Sequence, residues 1–240
     1  MMPSPAAKVK AAERALTHIK SGMILSLGSG STAETFVELL GKHVRAGVLK
    51  ELTLVSSSLR TTQLAESLNL TLTDLKNISY ADLGVDGADE VSLNTRYVIK
   101  GGGGCALRER QAANLCRRFM IIADTSKQSS LLGQKWRVPV DVRPEAWTSI
   151  QTALAKMGAA SAPLRKIGDA PFITDDGNYI LDANFGPIPD PAALAAALHT
   201  LKPEGLIGHG LFEMATDLIL ADEHTSRHWV WHDICWKEVV

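Results

Sequence analysis

The sequence predicts an α/β fold: a Rossmann-like, mostly parallel sheet with helices on both faces, joined to a smaller α+β subdomain. Two observations carry this. Over the first half of the chain, short apolar runs alternate with stretches of helical periodicity, the pattern of strands joined by crossover helices. Beyond residue 131 that alternation gives way to a hairpin signal and an alanine-rich helix. The main domain is therefore placed at 1–130 and 205–240, and the subdomain at 131–204.

Residues 8–19 set Val9, Ala12, Leu16 and Ile19 on one helical face. A strand is expected over 23–27, a glycine-rich turn over 28–32 and a helix from 33 to at least 40. The next strand is 52–55 and the next helix 59–67. Further strands are expected near 70–72, 83–85, 97–99 and 119–123, with a helix over 107–115 between the last two. In the second part, 138–142 reads as a strand and 147–157 as a helix. Strands at 172–174 and 179–182 flank Asp175-Asp176-Gly177-Asn178, a hairpin turn signal. A helix over 191–198 opens with Pro191 after Asp190, a good N-terminal arrangement. A last strand at 218–220 is expected to return to the main sheet. There is no internal repeat.

Composition bounds the function. Of the 240 residues, 45% are hydrophobic and 21% charged, enough for a real core. The net charge of -1 gives no electrostatic reason to expect a nucleic-acid or membrane partner, and leaves room for a local basic pocket. No apolar run approaches the ~20 residues that span a bilayer, and residues 1–20 lack a signal-peptide layout. The three cysteines, Cys105, Cys116 and Cys235, include no C-x-x-C pair, which argues against a zinc site or a disulfide framework and for the cytoplasm.

Four constellations are suited to chemistry. Gly28-Ser29-Gly30-Ser31-Thr32-Ala33 joins a strand to a helix, whose free N–H groups and partial positive charge suit an anion; a capped tight turn is the plainer reading. The same stretch fits G-x-G-x-x-A. A dinucleotide site wants an acidic residue after the second strand, and here Ser56-Ser57-Ser58 stands instead. Asp86-Gly87-Ala88-Asp89-Glu90 follows an apolar run and sets three carboxylates at the carboxyl end of a strand, as an acidic turn or as proton-transfer groups. Lys100-Gly101-Gly102-Gly103-Gly104 is costlier to order than a turn requires, and suits close backbone approach to a ligand with a cation beside it. Glu109 follows at a helix start. Asp124-Thr125-Ser126-Lys127 ends another strand and brings a lysine to the same edge. Cys105 lacks a histidine nearby in sequence and reads as a buried small side chain.

Together, in order and spacing, these motifs resemble the type A ribose-5-phosphate isomerases, over residues 8–220 and including the Thr174–Asn178 turn. The resemblance implies a Rossmann-like main domain, a small lid-like domain, and a homodimer or dimer of dimers. It implies an aldose–ketose isomerase of the non-oxidative pentose phosphate pathway that needs no cofactor and no metal. Glu109 is implied as the catalytic base, Asp86 as the group assisting ring opening, and Asp89 and Lys100 as completing the pocket. Lys8, Gly28, Ser29, Gly30, Ser31, Thr32, Gly101, Gly102, Gly103 and Lys127 are implied in substrate and phosphate binding, the glycine N–H groups with Lys100 being suited to stabilise an oxyanion. Two other readings of these residues remain: an amino-sugar-phosphate deaminase, and an effector-binding domain, which would keep the phosphate loop without the catalytic Glu.

The tail departs from the pattern. His224, His228 and His232 recur every four residues, which on a helix makes a metal-recruiting face. The Trp229-Val230-Trp231 run argues instead for chance spacing with tryptophans covering an edge.

Overall fold

The computed structural model describes residues 4–239; residues 1–3 and 240, the outer ends of the expected main domain, lie outside the described residues. In chain order the elements are α1 (Pro5–Leu16), β1 (Ile24–Leu27), α2 (Ser31–Arg45), β2 (Thr53–Ser56), α3 (Leu59–Ser67), β3 (Ala81–Asp86), β4 (Glu90–Val91), β5 (Val98–Ile99), α4 (Ala106–Asn114) and β6 (Cys116–Asp124). They continue with β7 (Val138–Val142), α5 (Trp147–Lys156), β8 (Lys166–Ile167), β9 (Ala170–Pro171), β10 (Tyr179–Ala183), α6 (Pro191–His199), β11 (Leu206–His209), β12 (Leu211–Phe212), β13 (Asp217–Ala221), β14 (Ser226–His232) and β15 (Cys235–Val239). Among the described residues no helix is long and apolar enough to cross a membrane.

The chain divides into two compact units. The first comprises Met1–Ala88, Arg108–Gln128 and Met214–Val240, and the second Asp89–Leu107 and Ser129–Glu213. The expected subdomain, 131–204, lies inside the second unit, which also takes in Asp89–Leu107 and the flanking residues 129–130 and 205–213, all expected in the main domain.

The first unit is built on a seven-stranded sheet in the order β15-β14-β13-β6-β3-β1-β2. Strands β2, β1, β3, β6 and β13 are parallel; β14 and β15 extend the sheet antiparallel. Strand β6 carries an unbroken apolar run, Phe119 to Ala123, because both of its faces are buried. Met120 and Ile122 join Leu25, Leu27, Leu83 and Val85 in one core with Phe36, Val37 and Leu40 of α2. Helix α1 enters that core through Ala11, Ala12 and Ala15, while Val9 is exposed. The expected face, which included Val9, is therefore corrected: small side chains let α1 lie close. The expected strand at 70–72 reduces to a single bridge, Leu54 to Leu72. Strand order reverses between β1 and β3, and open α/β sheets bind ligands at the carboxyl ends of the strands flanking such a point.

In the second unit, the antiparallel sheet β10-β7-β11 shares a core with α5 and α6 through Val138, Val140, Val142, Ile150, Leu154, Leu181 and Leu198. A small sheet, β12-β5-β4, precedes the Lys100–Gly104 run. The hairpin expectation needs correction. Strands β8 and β9 pair with each other around Gly168, and 172–174 is not a strand. The Asp175–Asn178 segment does turn, but Thr174 closes it as a loop. Its N–H donates to the Asn178 carbonyl (2.9 Å) and its hydroxyl accepts from the Asn178 N–H (3.0 Å).

The tail is also not helical. Aromatic and β-branched residues favour the pleat, and 226–232 forms β14 with Trp229 buried. His228 is buried in that strand, His232 ends it exposed, and His224 lies in the preceding turn. The helical face of three histidines does not form.

Candidate active site

In the first unit the parallel strands deliver their motifs to one edge of the sheet. Leu27 stands beside Val85 in register, so the residues that follow, Gly28 and Asp86, are neighbours. The Gly28 N–H donates to the Val85 carbonyl (2.9 Å). A Cβ on Gly28 would lie 2.3 Å from the Asp86 carboxyl carbon, so only glycine lets the loop cross there. Asp86, 1% exposed, accepts through Oδ1 from the N–H groups of Ser29 (2.9 Å) and Gly87 (2.7 Å). The Ser29 hydroxyl donates to Oε1 of Glu109, which sits in the first turn of α4 and is 4% exposed. Glu109 is thus no surface helix carboxylate.

Gly30 has φ 83° and leads into α2, whose N-terminus carries no side-chain cap. Ser31 and Thr32 open that helix. The Lys8 ammonium, from α1, donates to the Ser31 hydroxyl (2.8 Å), bringing a cation to the helix N-terminus. Lys127 ends a short 3-10 turn after β6, at the same edge. Ser58 caps α3, and Thr61, fully buried, donates its hydroxyl to the Gly28 carbonyl (2.8 Å). Sequence reading missed Thr61; a Ser-x-x-Thr helix start does not reveal which carbonyl its hydroxyl meets.

In the second unit, Asp89 Oδ2 accepts from the Gly102 N–H (2.7 Å), and a Cβ on Gly102 would lie 2.5 Å from Asp89 Oδ1. That N–H is committed to Asp89 in this state. Gly103 has open space on its Cβ side, and Gly101 takes φ 89°. Lys100 is 2% exposed, its ammonium 5.7 Å from the Phe212 ring centroid. Arg165 was not foreseen. Its guanidinium donates to the Gly102 carbonyl (2.9 Å) and pairs with Asp182. The third carboxylate of the acidic motif is a structural clamp. Glu90, fully buried, accepts backbone N–H groups from Gly133 (2.9 Å), Lys135 (3.1 Å) and Trp136 (3.0 Å). Cys105 is half-buried rather than buried.

A further buried cluster opens β13, at the amino edge of the parallel strands. Asp217 accepts from Arg118 (2.6 Å), His228 (2.9 Å) and Thr216 (2.7 Å), and the His18 ring meets His228 edge-on at 4.9 Å. Burial pushes the Asp217 carboxyl up, but hydrogen bonds from His228, Arg118 and Thr216 outweigh it and hold the carboxyl well below the usual range. Burial lowers the proton affinity of His18. Cys116, on β6, is pushed up to about 12 by burial and is no nucleophile.

The sequence of residues 53–225 matches the family model described as ribose 5-phosphate isomerase A (phosphoriboisomerase A). The chain belongs to that family. Among its relatives are ribose-5-phosphate isomerase A of Sinorhizobium medicae, 41% identical over 92% of this chain and 95% of the relative, and that of Agrobacterium fabrum, 42% identical with the same coverage. Among solved structures, a D-ribose-5-phosphate isomerase in complex with phospho-erythronic acid has a TM-score of 0.90 at 33% identity, covering 96% of this chain and 100% of that one. Ribose 5-phosphate isomerase A from Methanocaldococcus jannaschii has a TM-score of 0.87 at 32% identity, covering 94% and 98%. The matched segment holds Asp86, Asp89, Lys100 and Glu109, while residues 1–52 and the tail beyond residue 225 lie outside it.

Proposed function

We infer that the chain interconverts D-ribose 5-phosphate and D-ribulose 5-phosphate through an enediolate, with Glu109 as the general base. The observation that carries this is the Ser29 bridge, which ties two buried carboxylates, Asp86 and Glu109, to the loop that opens a helix N-terminus. Moving the carbonyl from C1 to C2 removes a proton from carbon. One carboxylate takes it from C2 and returns it to C1, while a proton passes between the two oxygens. Asp86 assists ring opening and hydroxyl proton movement. The negative oxygen of the enediolate is assigned to Lys100 and the N–H groups of Gly101 and Gly103, with Asp89 holding Gly102 between them. The phosphate is assigned to the α2 N-terminus with Ser31, Thr32, Lys8 and Lys127, so remote binding orients the reacting carbons.

No metal or cofactor is assigned a role, and the enzyme is proposed to work in the cytoplasm as a homodimer or dimer of dimers. A phosphorylated aldonic acid such as phospho-erythronic acid, the ligand of the relative, carries an anionic oxygen beside C2 and is expected to inhibit competitively.

The test is Glu109→Gln, which keeps size and reach but accepts no proton. Turnover is expected to fall about 10²–10⁴-fold, with exchange of the substrate C2 hydrogen into solvent falling in parallel and substrate binding retained. Exchange at the parent rate would move the base to another group.

A further inference from the structure

Ser29 touches both carboxylates, and it does so with different atoms. Its backbone N–H donates to Asp86 Oδ1 (2.9 Å) and its side-chain hydroxyl donates to Glu109 Oε1, across 80 positions of sequence. Nothing in its surroundings leaves the residue free to choose. On one side Gly28 is pressed against the Asp86 carboxyl, where a Cβ would fall 2.3 Å from it. The Gly28 carbonyl is held by the fully buried Thr61 hydroxyl (2.8 Å), itself fixed by Ser58 (2.9 Å). On the other side Gly30 turns the chain at φ 83° into α2. Ser29 is therefore a short rigid strut between a braced loop and a helix-borne carboxylate.

We propose that Ser29 is a positioning residue for proton transfer: its hydroxyl fixes the rotamer of the Glu109 carboxylate, and its N–H fixes Asp86, so that base and ring-opening group keep one relative geometry. This rests on the reading of Glu109 as the base. It separates Ser29 from its loop neighbours Ser31 and Thr32, which belong to phosphate binding. A glutamate side chain has three rotatable bonds, and the Ser29 hydroxyl bond at its tip restricts that freedom before substrate arrives. A displacement of about 1 Å in a reacting group costs on the order of 10²-fold in rate, so the strut acts on kcat.

The experiment compares Ser29→Ala and Ser29→Thr with the parent, using ribose 5-phosphate and its C2-deuterated form. Ser29→Ala is expected to lower kcat by about 10- to 100-fold with KM within about threefold, because ground-state binding is untouched. The deuterium isotope effect on kcat should be no smaller than the parent's, since carbon deprotonation becomes the slow step. Ser29→Thr retains the hydroxyl and should recover most of kcat. Three outcomes overturn the proposal: parent-like kcat in Ser29→Ala; a rise in KM alone, which makes Ser29 a substrate contact; or a lowered kcat with a smaller isotope effect and no rescue by threonine. If Glu109→Gln abolishes C2 exchange while Ser29→Ala is unaffected, only this inference falls. If Glu109→Gln still exchanges, the base assignment itself has failed.

Discussion

The two glycine-rich segments, Gly28–Ser31 in the first unit and Lys100–Gly104 in the second, solve the same steric problem with different anchors. In each, a glycine backs onto an aspartate: Gly28 onto Asp86 and Gly102 onto Asp89. In each, a loop N–H donates to that aspartate, from Ser29 and from Gly102. The glycines at these two positions are there because a carboxylate occupies the volume of a side chain. The anchors differ. The first loop is braced by the next crossover, through Thr61, within the ordinary connectivity of a parallel sheet. The second is pinned by Arg165, 63 positions from Gly102, whose own geometry depends on Asp182. A loop braced by its own fold should fail abruptly when its glycine changes, whereas a loop pinned by a remote side chain should loosen by degrees.

Of the changes that test this comparison, Gly28→Ala should have the largest effect. The new methyl must displace the Asp86 carboxyl, at a cost of about 1–3 kcal/mol in stability. Turnover is expected to fall about 10²-fold. Steady-state kinetics with a melting curve tests this, and activity within twofold of the parent would break the parallel with Gly102.

Arg165→Ala removes the remote pin and should lower kcat/KM by about tenfold, a tenth of that effect. Arg165→Lys should not restore it, because an ammonium lacks the planar fork that serves a carboxylate and a carbonyl together. Full rescue by lysine would show that charge alone holds the run.

Asp217 supplies a buried carboxylate outside both loops, held by Arg118, His228 and Thr216. Asp217→Asn should leave kcat near the parent value and cost about 1–3 kcal/mol in stability at neutral pH, the worth of hydrogen bonds to a charged group. The sign with pH follows from its depressed proton affinity in the fold. The stabilisation is complete above the unfolded value of about 3.9 and is lost as pH falls from there toward the lower folded value. Urea midpoints of parent and variant should therefore converge in strong acid. His18, with proton affinity lowered by burial, acts in the same direction from about pH 6.5 downward. A gap that widens in acid would contradict this.

Gly103→Ala should have the smallest effect, within about 0.5 kcal/mol in stability, because open space lies where its Cβ would point. A large stability loss would mean the run needs glycine for backbone freedom and not only at Gly102.

Much of this was legible in one dimension. Helix α3 and strand β7 fall where periodicity puts them, and the Asp190–Pro191 start of α6 is capped as read, with Asp190 accepting from the Ala193 N–H (2.9 Å). Periodicity is a local property, and each element satisfies it alone. The α1 face was misread because a pattern of apolar residues does not say how closely a helix must approach its sheet. The tail histidines recur by chance spacing, as the Trp229-Val230-Trp231 run implied, and that run lies in a strand with Trp229 buried.

By itself the sequence determined the alternation of strands and helices in the first half of the chain, the motifs that follow those strands, and which residue types reach the carboxyl edge. Those follow from bonds between near neighbours, where covalent geometry and side-chain pattern suffice. Only the tertiary structure decided which carboxylate of Asp86–Glu90 is a clamp, that Ser29 meets Glu109, and that Arg165 holds Gly102. Each depends on groups brought together by sheet order and burial. A buried carboxylate takes its role from the donors around it, and those donors are chosen by the fold rather than by position in the chain.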